Sequence, residues 1–382
     1  MRFIFLNLPE RADLMRKSGF FLLSLILNVH QLYPLIPVDT SSTGNLDLRL
    51  RNINFVRNNE YSNPVIEGYT LIGYFLQPEL VYSPSDKVQL NLGAHLLQYS
   101  GTNRFHLVKP VFSTSLRISR NILFTMGSLS GSDEHRMFDP HFNKERLYNT
   151  FSEDGLELRF QNDHFFNDLW LSWENYIFKG DNEREIFTAG ESFSYMSDKI
   201  GGLFKINIPF QLQFKHYGGQ ISNYSERVET YLNIAAGTGL SYEIAEKKFG
   251  ETGVEALFFY GKSITDNAPS GIGKGSAIWY RIYYAYRNLG VIAGLWMSDD
   301  FFAPNGNFIF SSVSDHRYNL VIHERKLLTC SANIKVFHKS FLEFFFELEG
   351  FYDTDLQRFD NAASLHLRFD NIIRMTKIKH HR

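Results

Sequence analysis

The sequence predicts an all-β protein, a transmembrane antiparallel up-and-down β-barrel of about sixteen strands. Apolar and polar residues alternate from about residue 45 to 370, the period of strands with one oily face and one wet face. Aromatic residues make up 16% of the chain, with 36 Phe and 20 Tyr, which suits strands and the aromatic belts at a membrane interface. Past the N-terminus there is no run of ~20 apolar residues, which a membrane helix would need.

Residues 1–33 read as an export signal. Arg16 and Lys17 precede the apolar run from Phe20 to Leu27. A positive flank before ~10 apolar residues has the shape of a secretory signal and is too short to span a bilayer. Met15 is read as the true start, and cleavage is expected between His30 and Tyr33.

The first half of the barrel is expected near 45–55, 68–83, 87–99, 106–119, 122–130, 153–161, 165–178 and 185–197. Ile72, Tyr74, Leu76, Leu80 and Tyr82 mark the second strand, and Val88, Leu90, Leu92, Ala94 and Leu96 the third. Leu169, Leu171 and Trp173 alternate with Asp168, Ser172 and Glu174 in the seventh. The second half is expected near 202–217, 227–243, 251–262, 274–286, 290–298, 327–337, 341–352 and 362–370. Its clearest strand alternates Phe204, Ile206, Ile208, Phe210, Leu212 and Phe214 with Lys205, Asn207, Pro209, Gln211, Gln213 and Lys215. Pro209 has no N–H to donate, so a local irregularity is expected there. Leu342, Phe344, Phe346 and Leu348 alternate with glutamates, with Phe345 out of phase. A barrel over 45–370 leaves 371–382 as a basic tail.

Short turn signals such as Ser83–Pro84–Ser85–Asp86 and Arg287–Asn288 alternate with longer polar stretches at 131–152, 263–273 and 299–326. Short turns at one end and long loops at the other are the layout of bacterial outer-membrane barrels. About sixteen strands leave a wet lumen. The expected function is a porin-like channel for small hydrophilic solutes or ions. The alternative is a non-conducting barrel that displays its loops. The expected partners are outer-membrane lipid, the permeating solute and the barrel-insertion machinery, and monomer and homo-oligomer both fit. The net charge of −2 gives no argument for nucleic acid.

The wet face supplies the candidate site. Arg49 and Arg51 on the first strand and His366 and Arg368 on the last become neighbours on closure, and form one basic wall. Lys109 and Arg117 extend it, and Lys205 and Lys215 line the lumen further round. Loop 131–152 is expected to fold inward opposite this wall, with Asp133, Glu134, Asp139 and Glu145 as a constriction. Glu343, Glu347 and Glu349 are expected to neutralise Arg368 across the strand pair.

Other chemistry is weaker. Asp133, Glu134, His135, Asp139 and His141 are spaced too irregularly for a metal site, and no metal or cofactor is expected. Motifs of the G-x-S-x-G, P-loop and H-E-x-x-H kinds are missing, so the chain is expected not to be an enzyme. The single cysteine, Cys330, falls with Leu328, Ala332 and Ile334 on the oily face. Trp170, Trp173, Trp279 and Trp296 read as packing or belt residues.

Met126–Gly127–Ser128–Leu129–Ser130–Gly131, followed by His135 and Phe138–Asp139–Pro140, resembles the segment leading into the long third loop of porin-like barrels from Bacteroidetes. Ile208–Pro209–Phe210–Gln211 with His216–Tyr217–Gly218–Gly219–Gln220–Ile221 is similar to a second signature of that group, and Leu365–His366–Leu367–Arg368–Phe369 resembles its last strand. The resemblance spans residues 45–370 and implies an outer-membrane barrel without naming a substrate.

Overall fold

Side-chain burial alternates along nearly every strand, and on the strand Phe204–Gly218 it falls as the pattern requires. Asn207, Gln211, Gln213 and Lys215 are buried, while Phe204 and Ile208 are exposed. Polar residues therefore face the interior and apolar ones the bilayer. The computed structural model describes residues 43–378 except 130, 220, 225–227, 245–248, 266, 267 and 269. The expected signal segment 1–33 and residues 379–382 of the expected tail lie outside the described residues.

Sixteen antiparallel strands close into one barrel. They are β1 Asn45–Glu60, β2 Tyr69–Tyr82, β3 Val88–Tyr99, β4 Leu107–Ser119, β5 Ile122–Ser128, β6 Asp154–Gln161, β7 Phe165–Asn175 and β8 Glu185–Met196, then β9 Phe204–Gly218, β10 Glu229–Glu243, β11 Glu251–Ser263, β12 Lys274–Tyr286, β13 Leu289–Asp299, β14 Glu324–Lys339, β15 Leu342–Asp353 and β16 Arg358–Lys377. Helix is confined among the described residues to single turns at Ser132–His135, Arg146–Asn149 and Phe308–Phe310. Each strand pairs with its sequence neighbours, and β1 closes on β16 from Asn45↔Lys377 to Glu60↔Asn361.

Two boundaries differ from the sequence expectation in an instructive way. β16 runs to Lys377, so residues 371–377, expected to be tail, pair with the start of β1. The adjacent apolar pair Ile372–Ile373 breaks the alternation there, and the register shifts between Leu46 and Asp47. Pro209 stands just beyond the last β9–β10 pair, Ala236↔Phe210, where a missing N–H costs no ladder bond.

β5 and β6 have only 7 and 8 residues. Their ribbon leaves the wall at the cross-strand pair Gly127↔Gly155. A Cβ on Gly127 (φ +101°) would lie 2.1 Å from the Phe112 carbonyl of β4, and one on Gly155 1.8 Å from the Leu171 carbonyl of β7. At both positions the backbones approach so closely that only glycine fits. Leu129 N–H still donates to the Glu153 carbonyl at 2.8 Å, so the ribbon carries loop 129–153 into the lumen.

Candidate functional site

Two loops enter the lumen and meet there. Loop 129–153 enters from β5–β6, and loop 300–323 enters from the top of β13–β14. They join where Asn143 N–H donates to the Asn305 carbonyl (2.7 Å) and Asn307 Nδ2 donates to Asp139 (2.8 Å). Gln211 of β9 grips the first loop from the wall, accepting from Phe138 N–H and donating to the Arg136 carbonyl, both at 3.0 Å.

The expected basic wall exists as a location but carries no run of free charge. Arg49 pairs with Asp370 at 2.6 Å, Arg51 with Glu79 at 2.7 Å and Arg368 with Asp133 at 2.8 Å. His366 accepts from the Tyr148 hydroxyl, 2.5 Å away. An unpaired cation in a narrow lumen would be costly, and each acquires a partner from a neighbouring strand or the loop. Lys109 pairs with Asp154 at 2.8 Å, Lys205 with Glu243 at 3.0 Å and Lys215 with Glu174 at 2.7 Å. Arg117 lies half-buried near the short-turn end.

The acidic loop residues do enter the lumen, but they press on the wall rather than face it across a gap. Glu145 meets Arg57 at 3.1 Å and also accepts from the Tyr69 hydroxyl, and Glu134 meets Arg159 at 3.2 Å. Burial pushes Asp139 up to about 6 against the pull of Lys144. The glutamates of β15 serve this loop instead of Arg368. Lys144 bridges Glu347 (2.7 Å) and Glu349 (2.6 Å), Arg57 also reaches Glu349 (2.7 Å), and Glu343 pairs with His338. Phe345, out of phase in the sequence, faces inward against the His366 ring.

A second cluster escaped the sequence reading. His135 is fully buried, with Nδ1 2.9 Å from Asp168 and Nε2 2.7 Å from Glu153. Its ring stacks on Trp170 at 3.9 Å. Burial opposes its charge, but Asp168 and Glu153 outweigh that and push its pKa up to about 10. Both nitrogens donate to carboxylates, so the ring is a fixed cation and cannot act as a general base. Ligand atoms of His135, Glu157 and Asp168 lie within 4.8 Å of one another. The Arg159 guanidinium sits 2.7 Å from Glu157 and 3.3 Å from Asp168, where a metal cation would have to stand, so the group is an ion-pair cluster. His141 is equally buried, and burial draws it down to about 3, leaving it neutral.

Loop 300–323 is held differently. Phe310 packs on Trp296 (5.0 Å), Trp279 (5.1 Å) and Phe351 (5.8 Å), with Ile309 fully buried beside them. The buried Arg325 donates to the Ile309 and Ser311 carbonyls and to Asp353. Below the loops a vestibule of about 560 Å³ runs toward the short turn at Arg287–Asn288, lined by Lys144, Arg281, Glu343, Glu347, Trp279 and Phe345 among others.

A closed barrel with an oily outer face, a charged inner face and inward loops defines an outer-membrane β-barrel protein. The family model for Lipid A 3'-O-deacylase-type proteins matches residues 38–378, and the chain belongs to that family. Because that family is named for an enzymatic activity, this membership overturns the expectation that the chain is not an enzyme. No curated protein matches the sequence. Among solved structures, the chain is similar to OccK8 (OprE) of Pseudomonas aeruginosa, at 12% identity and TM-score 0.50 over 86% of this chain and 99% of that one. It is also similar to a BenF-like porin of Pseudomonas fluorescens Pf-5, at 8% identity and TM-score 0.49 over 87% of this chain and 100% of that one. At such identity the first likeness is one of fold.

Proposed function

We propose that the barrel is a gated conduit for small hydrophilic solutes. The vestibule carries this reading. It offers a solute about 560 Å³ of space from the short-turn end, walled by charges of both signs, and ends on two loops, one of which is tied to the wall by the Lys144 ion pairs. Such pairs exchange with passing ions more readily than packed apolar contacts do. Purified protein in planar bilayers should conduct with mild anion preference. Replacing Arg49, Arg51 and Arg368 with Gln leaves Asp370, Glu79 and Asp133 uncompensated. The reversal potential in a salt gradient should then move toward cations. Insertion without current would sink the conduit and favour a non-conducting barrel that displays its loops. The motifs shared with Bacteroidetes barrels make that phylum the expected source.

A second reading rests on the family match over residues 38–378. In this reading the chain removes an ester-linked acyl chain from lipid A. Incubation with lipid A vesicles and mass analysis of the lipid tests it directly. An unchanged lipid would refute it, whatever the conductance.

A further inference from the structure

The inward turn of the β5–β6 ribbon leaves part of the wall vacant. The last β4–β5 pair is Ser113↔Gly127, and the last β6–β7 pair is Gly155↔Ser172. Above these pairs, β4 residues 107–112 pair only with β3, and Trp173 and Asn175 of β7 pair only with β8. At about 3.3 Å per residue and about 40° tilt, the 7 residues of β5 rise only about 18 Å. The apolar band of an outer-membrane barrel is about 25 Å tall. The 13 residues of β4 rise about 33 Å on the same terms. With the short turn at Arg120–Asn121 set at the inner interface, the vacancy begins about 18 Å up this band, on the outer-leaflet side.

The bare β4 edge is only partly satisfied from within the chain. Phe112 N–H donates to Ser128 Oγ at 3.1 Å. Two residues along the same edge stands Pro110, which has no N–H to leave unpaired. Behind the vacancy a polar group stands beside the buried cluster of Phe75, Leu97 and Phe151. Lys109 Nζ donates to the Ser152 carbonyl and pairs with Asp154, each at 2.8 Å, and Ser128 Oγ donates to Asp154 at 2.7 Å. The Asp154 side chain retains 39% exposure. In front, Val108, Phe112, Met126 and Trp173 present apolar surface to the bilayer.

We propose that this vacancy is a lateral opening through which an outer-leaflet lipid brings its ester or headgroup oxygens to the Lys109 ammonium. Lipid is the molecule already present at that depth, and an open strand edge in hydrocarbon demands a hydrogen-bonding occupant, which acyl tails alone are not. The apolar residues in front suit the tails, and Lys109 suits an anionic head. The inference deepens the lipid A reading by giving the substrate a path off the membrane plane.

A photo-crosslinking amino acid placed at Ser152 tests it in vesicles containing lipid A, with the same probe at the lumen-facing Ser298 as control. Irradiation should yield a lipid-mass adduct at 152 and none at 298. Adducts only within the chain, or to a second copy of it, would overturn the proposal. If the Ser152 variant does not fold, the probe at Asp154 answers the same question. Lipid capture needs no hydrolysis, so acyl release measured in the same vesicles judges the deacylase reading separately.

Discussion

The two inward loops meet in one lumen and both bury aromatic side chains, but they differ in how much charge holds them. Loop 129–153 packs Leu147, Tyr148 and Phe151 on the wall and adds a set of ion pairs, with Arg57, Lys144 and Arg159 facing Glu145, Glu347, Glu349 and Glu134. Loop 300–323 is wedged by Ile309 and Phe310 among Trp279, Trp296 and Phe351. The difference teaches which loop is built to move. Aromatic packing resists salt and pH, whereas ion pairs in a wet lumen respond to both.

The largest expected effect lies on the aromatic side. Trp296→Ala should cost about 3–5 kcal/mol in a refolding titration, equally at low and high salt. A loss no greater than that of the lipid-facing Trp173→Ala would break the distinction. On the charged side, Glu349→Ala should cost about 1–3 kcal/mol. Proteolysis should then speed up in loop 129–153 while loop 300–323 stays protected.

The pH response is sharper in kind though smaller in size. The folded pKa of His135, about 10, lies above the ordinary value of about 6.5. Its contribution is therefore complete below about pH 6.5 and is lost as the pH rises through about 10. Hydrogen exchange in loop 129–153 should accelerate over that window, and equal acceleration in loop 300–323 would refute the contrast. The smallest effect is that of salt. Moving from 0.1 to 1 M shortens the screening length from about 10 to about 3 Å and should weaken the half-exposed Lys144 pairs by under about 1 kcal/mol. Intrinsic fluorescence of the tryptophan-lined loop should not change.

The strands were legible because a barrel wall makes each residue choose between lipid and water. That choice shows in Leu212 beside Gln213 without knowledge of any partner. The inward course of the third long loop was legible too, from its acids and the resemblance of its flanks. The pairing inside the lumen was not. Asp168 sits on β7 in plain alternation, but its partner His135 lies 33 residues away on a loop. Likewise Lys144 finds Glu349 across 205 residues. Such contacts depend on barrel closure and loop path, which no local period encodes. The vacated wall was hidden for a related reason. Gly127 and Gly155 look like ordinary strand glycines until their pairing is known.

The seam between β1 and β16 has a consequence in time. Its partners stand at opposite ends of the described residues, from Asn45↔Lys377 to Glu60↔Asn361. Contacts of such sequence separation form slowly, because the chain entropy must be lost before the contact repays it. Until they form, fifteen hairpin-linked neighbours make an open sheet with two unsatisfied borders. The twenty residues of β16 thus act as the clock of assembly. The barrel exists as a barrel only once its newest segment has found its oldest.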